Sequence, residues 1–169
     1  MKKIIIDVDT KIIEEKQRKN RKVTEHSKWE YDNITNEEEI KIVTKCLQNN
    51  EGKQEGFLIQ QIKNKLSSYR SQDKTKKIYN EDKFINILQT LKLLEKQNHQ
   101  CYYCKECVKL LYSSVREPKQ WTLERMDNDF GHNFDNVSIA CLNCNLRRRT
   151  MYHGRFTATQ EIKNVVKIG

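Results

Sequence analysis

The sequence predicts an α+β fold: a helical N-terminal half followed by a metal-clamped unit of two strands and a helix. Three observations predict it. Two C-x2-C pairs, Cys101-Tyr102-Tyr103-Cys104 and Cys141-Leu142-Asn143-Cys144, bracket one stretch of the chain. Within that bracket, two short segments alternate apolar and polar residues on either side of a loop rich in Asp, Asn and Gly. Ahead of it, between residues 35 and 97, apolar residues recur at three- and four-residue steps, the spacing of amphipathic helices.

At 169 residues and 36% hydrophobic content, the chain suits one domain or a small two-part protein. The net charge is +9, and both parts share it: residues 1–100 hold 21 basic and 16 acidic groups, residues 101–169 hold 11 and 7. Such a field favours a polyanionic partner, nucleic acid first, with a merely solvated lysine-rich surface as the bland account. The opening Met1-Lys2-Lys3-Ile4-Ile5-Ile6 meets Asp7 and Asp9 before an apolar core of signal-peptide length can form, and no run approaches a membrane span. The expectation is an intracellular, reducing compartment, cytoplasm or nucleus, with no membrane partner. There C-x2-C spacing means metal or redox chemistry rather than structural disulfides, and two such pairs favour metal.

Taken in order, residues 1–34 read as a polar arm with a short strand at Ile4–Val8 and a docking end at Trp29 and Tyr31. Residues 35–97 read as a helical support or DNA-docking region. Thr35 and Glu38 have capping-box spacing, so a helix starts there, with Ile40, Val43 and Leu47 on its apolar stripe and Cys46 beside them. A second helix is predicted from about Gly56 to Arg70 on the stripe Leu58, Ile62, Leu66 and Tyr69. The basic run Ser71–Lys77 then reads as a connector, solvated or touching phosphates. A third helix is predicted from about Glu81 to Lys96 with Asn80 as its cap and Phe84, Ile87, Leu88, Leu91 and Leu94 on one side. Residues 98–169 form the clamped unit with a C-terminal extension. Pro118 marks a loop, Trp121 to Glu124 a first strand, Val137 to Ala140 a second, and Cys144 to Met151 a helix. After a break at Tyr152-His153-Gly154, Phe156, Ile162, Val165 and Val166 suit a terminal helix.

Cys101, Cys104, Cys141 and Cys144 offer four thiolates, the ligand set of a tetrahedral structural Zn²⁺. Cys107 follows Cys104 at the same step and is a possible competitor; Cys46 reads as core. The gap between the pairs exceeds that of a simple zinc ribbon, so a folded insert lies within the clamp.

That insert, with Leu123-Glu124-Arg125, Gly131-His132, Asn136-Val137 and Cys144-Asn145, resembles the HNH endonucleases, also called ββα-metal or His-Me finger nucleases. The similarity covers roughly residues 99–151. It is with the zinc-clamped branch to which phage recombination endonuclease VII belongs. The resemblance implies a metal-dependent DNA endonuclease in which Glu124 and Asn145 hold a catalytic Mg²⁺ or Mn²⁺. Their other reading is an ion pair of Glu124 with Arg125 or a lysine and a helix cap at Asn145. The family's base position is Arg125 here, and a guanidinium with a pKa above ~12 accepts no proton at neutral pH. His132 is therefore the candidate base, or else a loop residue bonded to backbone, and Arg125 a clamp on the scissile phosphate. Asn136 is expected to tie the loop shut. Asn145, Arg148 and Arg149 stand at i, i+3 and i+4, which puts two guanidiniums beside the metal ligand for backbone phosphates, with binding of weak sequence specificity. The alternative is a catalytically inactive, zinc-stabilised nucleic-acid-binding protein on the same fold. Whether the DNA is duplex, branched or nicked, and whether the chain forms a homodimer, stay open at this stage.

Overall fold

The computed structural model describes residues 31–163, apart from 32 and 51. The expected strand at Ile4–Val8, the arm through Trp29, and Val165 and Val166 lie outside the described residues. Along the described chain run α1 (Asn36–Leu47), α2 (Lys53–Thr75), α3 (Ile87–Lys96), β1 (Trp121–Arg125), β2 (Val137–Cys141), α4 (Leu142–Arg148) and α5 (His153–Lys163). The two strands pair antiparallel, Trp121 opposite Cys141 and Arg125 opposite Val137. No helix among the described residues is long and apolar enough to cross a membrane.

The helix α1 starts at the Thr35–Glu38 capping box, each residue's side chain serving the other's backbone amide. Its buried face differs from the predicted stripe. Ile40 is exposed, whereas Glu39 is buried with Ile42 and Val43. Glu39 goes inside because its Oε1 accepts from the backbone N–H groups of Leu110 (3.0 Å) and Leu111 (2.8 Å), two buried amides beyond the first cysteine pair.

The second helix is longer than predicted at both ends and carries the supposed connector as its last turns. Beyond Leu58, Ile62 and Leu66, the inward face continues to Asp73, which is fully buried. Helix α3 instead begins later than predicted. Its cap is Asn86, reciprocally bonded with Gln89, while Asn80 only closes a local turn onto the Lys83 amide. The residues before it are claimed by the hairpin: Phe84 bridges Asn133, Ile85 N–H donates to His132 O (3.0 Å), and Phe134 N–H donates to Lys83 O (2.9 Å). Helix α4 begins at Leu142 because Cys141 is its cap, Sγ accepting the Cys144 amide at 3.4 Å. In α5, which starts inside the expected break, Phe156 is buried edge-on against Tyr103, with ring centroids 4.8 Å apart. Ile162, expected to pack, is exposed.

One hydrophobic cluster joins Ile42 and Val43 of α1, Leu58 and Ile62 of α2, Leu91 and Leu94 of α3, Trp121 and Leu123 of β1 and Ile139 of β2. Each of these side chains contributes roughly 1.5–3 kcal/mol by leaving water, so the helical half and the hairpin hold each other in shape. Tyr31, the described end of the arm, is buried against Phe57. Lys65 of α2 reaches β1, its Nζ donating to Trp121 O (2.8 Å) and Gln120 Oε1 (2.9 Å) above the Trp121 ring. Burial pushes this lysine down to about 7.

Candidate metal centre and hairpin site

The first cysteine pair sits in a tight turn after α3. Lys105 N–H donates to Cys101 O (3.0 Å) with Lys105 at φ 61°, and Cys101 N–H donates to Glu106 O (2.9 Å). The second pair spans the junction of β2 and α4. The four Sγ atoms of Cys101, Cys104, Cys141 and Cys144 all lie within 4.8 Å of one another, Cys104 and Cys141 at 4.0 Å. Tetrahedral zinc with Zn–S near 2.3 Å needs sulfurs about 3.8 Å apart, so this group can hold such an ion with small adjustments. It is the only group of three or more His, Cys, Asp or Glu side chains so placed among the described residues. Hydrogen bonds from Cys141 and Cys144 push the Cys101 thiol far below its ordinary range, and the same bonds push Cys141 up to about 12 and raise Cys144. A cation bound among the four sulfurs would favour their deprotonated form. Cys107 stays outside the cluster, and Cys46 packs beside the core.

Period-two alternation gives β1 two faces. Thr122 and Glu124 face α4: Asn145 Nδ2 donates to Thr122 Oγ1 at 3.1 Å, and Thr122 in turn donates to Ala140 O at 2.8 Å. Glu124 Oε1 accepts from Arg148 Nη1, and Arg148 Nη2 donates to Met126 O at 3.1 Å. Arg148, expected on an exposed DNA-facing side, is only 2% exposed. The reason is the buried Glu124 carboxylate, which draws the cation inward to offset its own desolvation. Burial pushes Glu124 up to about 7, and Arg148 pulls the other way. Glu124 and Asn145 thus share one side of the hairpin, and the exposed arginines of α4 and its cap are Arg147 and Arg149.

His132 is held by α2. Its Nδ1 is 2.8 Å from Asp73 Oδ1, its backbone N–H donates to Asp73 Oδ2 at 2.7 Å, and its ring stacks on Tyr69 with centroids 4.3 Å apart. Tyr69 also accepts the Leu123 amide through its hydroxyl, at 3.2 Å. These partners belong to α2, whereas Glu124 of β1 is bonded to Arg148 of α4 and Asn145 of α4 to Thr122 of β1, so the candidate base is packed against a different element from the proposed ligands. Gly131 permits the close approach, since a Cβ there would stand 2.7 Å from Ile78 O and 2.8 Å from Asp73 Oδ2. Burial lowers the His132 pKa, with Asp73 opposing, and an imidazole facing a carboxylate donates from Nδ1. A histidine neutral when folded and protonated when unfolded contributes stability that is present above the ordinary pKa near 6.5 and lost as pH falls toward the lowered value. Thermal unfolding between pH 7.5 and 5.5 should show this loss, at up to about 1.4 kcal/mol per pH unit for one histidine. A His132→Gln protein should show a shallower slope, not a flat one, because burial lowers His99 in the same way. Equal slopes in the two proteins would refute the assignment.

Arg125 does not stand free as a phosphate clamp: its Nη1 donates to the carbonyls of Asn128 (3.0 Å) and Phe130 (3.2 Å) inside its own loop. Asn136 closes the same loop, donating to Asp127 O and Gly131 O and accepting from the Asp127 amide. Asp73, which matters here, was not singled out from the sequence, where it stood in the polar stretch after the second helix. Arg148 was singled out, but as a contact to backbone phosphates rather than as the buried partner of Glu124. No protein family, curated protein or solved structure matches this chain.

Proposed function

We propose that this chain is a metal-dependent nuclease of the HNH kind, hydrolysing phosphodiester bonds in DNA with weak sequence specificity, its hairpin held by a structural zinc. The observation that carries the reading is that Glu124 of β1 and Asn145 of α4 both lie where α4 packs on the hairpin, bonded to Arg148 and Thr122 respectively, and that the hairpin's ends are bracketed by four clustered cysteines. Cys101, Cys104, Cys141 and Cys144 would hold the zinc, which serves shape alone.

The remaining donor set suits a hard cation. Arg148 takes Oε1 of Glu124 and Thr122 takes the amide nitrogen of Asn145, which leaves Glu124 Oε2 and Asn145 Oδ1 as ligand oxygens. Mg²⁺ and Mn²⁺ accept such a sparse set, because Mg²⁺ keeps several of its waters. When bound, the ion would polarise a non-bridging phosphate oxygen and acidify a water. The protein's own part is positional. Thr122 fixes the Asn145 amide, Arg148 fixes the Glu124 carboxylate, and Asn136 and Arg125 keep the loop closed. The exposed Arg147 and Arg149 attract backbone phosphates without reading bases.

The buried Glu124–Arg148 pair favours a second reading, a nucleic-acid-binding protein on this fold without catalysis, since the carboxylate already has a counter-charge. Nicking of supercoiled plasmid separates the two. Cleavage is expected with Mg²⁺ or Mn²⁺ and absent in EDTA. Intact plasmid, branched DNA and single strands under all conditions would leave only the binding reading.

A further inference from the structure

A second basic surface lies on the helical half, away from the hairpin arginines. Lys63, Arg70 and Lys74 stand at i, i+7 and i+11 on one exposed face of α2, a spacing that keeps them in a single row. They line one wall of a groove of about 830 Å³ whose other wall is the segment leading into α3, with Tyr79 and Phe84 on it. Arg70 lies over the Phe84 ring at 5.1 Å and Lys74 over Tyr79 at 5.2 Å, so the aromatic wall fixes where two of the cations sit. None of the three is ion-paired with a carboxylate among the described residues, and the one acidic group lining the groove is Glu81. Phe84 bridges Asn133, next to His132, so this wall is continuous with the hairpin loop.

We infer that this groove binds a single strand of nucleic acid through its phosphates; the inference rests on the nucleic-acid reading above and adds the surface that receives the strand. Charge selects a polyanion, and a concave cationic groove walled by aromatic rings suits a flexible single strand better than a rigid duplex. The row from Lys63 to Lys74 spans roughly 16 Å of helix axis.

The test measures binding of an oligothymidylate and of a hairpin duplex, both in EDTA, across a salt series. Each phosphate contact to a single strand contributes a slope of about −0.7 in log affinity against log salt. The Lys63→Gln/Lys74→Gln protein, altered only at exposed positions, should therefore lose about 1.4 units of slope on the single strand. A control of equal charge loss on α3, Lys92→Gln/Lys96→Gln, should keep the wild-type slope. An unchanged single-strand slope in the groove variant, or a loss seen on the duplex alone, would overturn the inference. So would tighter, groove-dependent binding to polyglutamate, which would assign the surface to an acidic protein. Plasmid cleavage is scored separately. Cleavage with an unchanged slope removes the groove alone, and a reduced slope without cleavage removes the nuclease reading alone.

Discussion

A Cys141→Ser protein should lose its zinc and the folded state of the hairpin together. Cys141 supplies one of the four clustered sulfurs, caps α4 through the Cys144 amide, and ends β2 opposite Trp121. Among the described residues the sheet has two strands, and a two-stranded hairpin is marginal in water without further support. Binding free energies of structural zinc reach ~10–16 kcal/mol in small metal-dependent units, comparable to the whole stability of a typical domain at about 5–15 kcal/mol. Purified wild-type protein should contain one zinc per chain by elemental analysis, and the variant none, with loss of the cooperative melt. Wild-type protein that is zinc-free after purification under reducing conditions, yet melts cooperatively, would refute the structural-zinc reading.

Substitution of the buried pair should be almost as damaging, and unequally so for its two members. Glu124→Ala leaves the Arg148 guanidinium buried and charged, because arginine cannot shed its proton at any pH the fold survives. Breaking a buried pair in this way costs about 3–5 kcal/mol. Arg148→Ala leaves a carboxyl that burial already pushes up to about 7 and that can escape its charge by taking a proton. An acid whose folded pKa is raised stabilises the fold below its unfolded pKa and loses that contribution as pH rises through the folded value. Arg148→Ala should therefore be the milder change and should be more stable at pH 5.5 than at pH 8. Glu124→Gln keeps an oxygen for Arg148 and should fold, yet plasmid nicking should fall below detection because the anionic ligand has gone. Equal melting temperatures for Glu124→Ala and wild type would refute the buried-pair account. Full cleavage by Glu124→Gln would refute the metal-ligand role.

The sequence made the cysteine cluster legible because its spacing is a direct statement about which sulfurs can converge. It made the hairpin legible because alternation around an Asp/Asn/Gly loop has few other meanings. The long-range polar contacts were harder to see. Glu39 was hidden in a run of three glutamates whose natural reading is a favourable first helical turn, and its burial depends on two amides some seventy residues away. Asp73 extends the stripe Leu58, Ile62, Leu66 and Tyr69 by one more step, and a carboxylate on an apolar stripe was the available sign that something polar waits opposite. Arg148 was placed on the helix face of Asn145 but assigned to phosphate, because helical spacing says which residues share a face and not that a buried Glu124 lies opposite. The start of α3 was missed because Phe84 and Ile85 fit a helix as well as they fit the bridge to the hairpin.

The clamp between Asp73 and His132 also makes the hairpin loop depend on α2. The two residues are 59 positions apart, so this contact carries a loop-closure cost that winding α2 does not. For that reason the ββα unit is not a cassette. A fragment beginning at residue 98 would carry all four clustered cysteines, Glu124 and Asn145, yet leave the His132 amide and ring without their partners on α2. Any graft of this hairpin onto another scaffold must bring along the face of α2 that carries Tyr69 and Asp73.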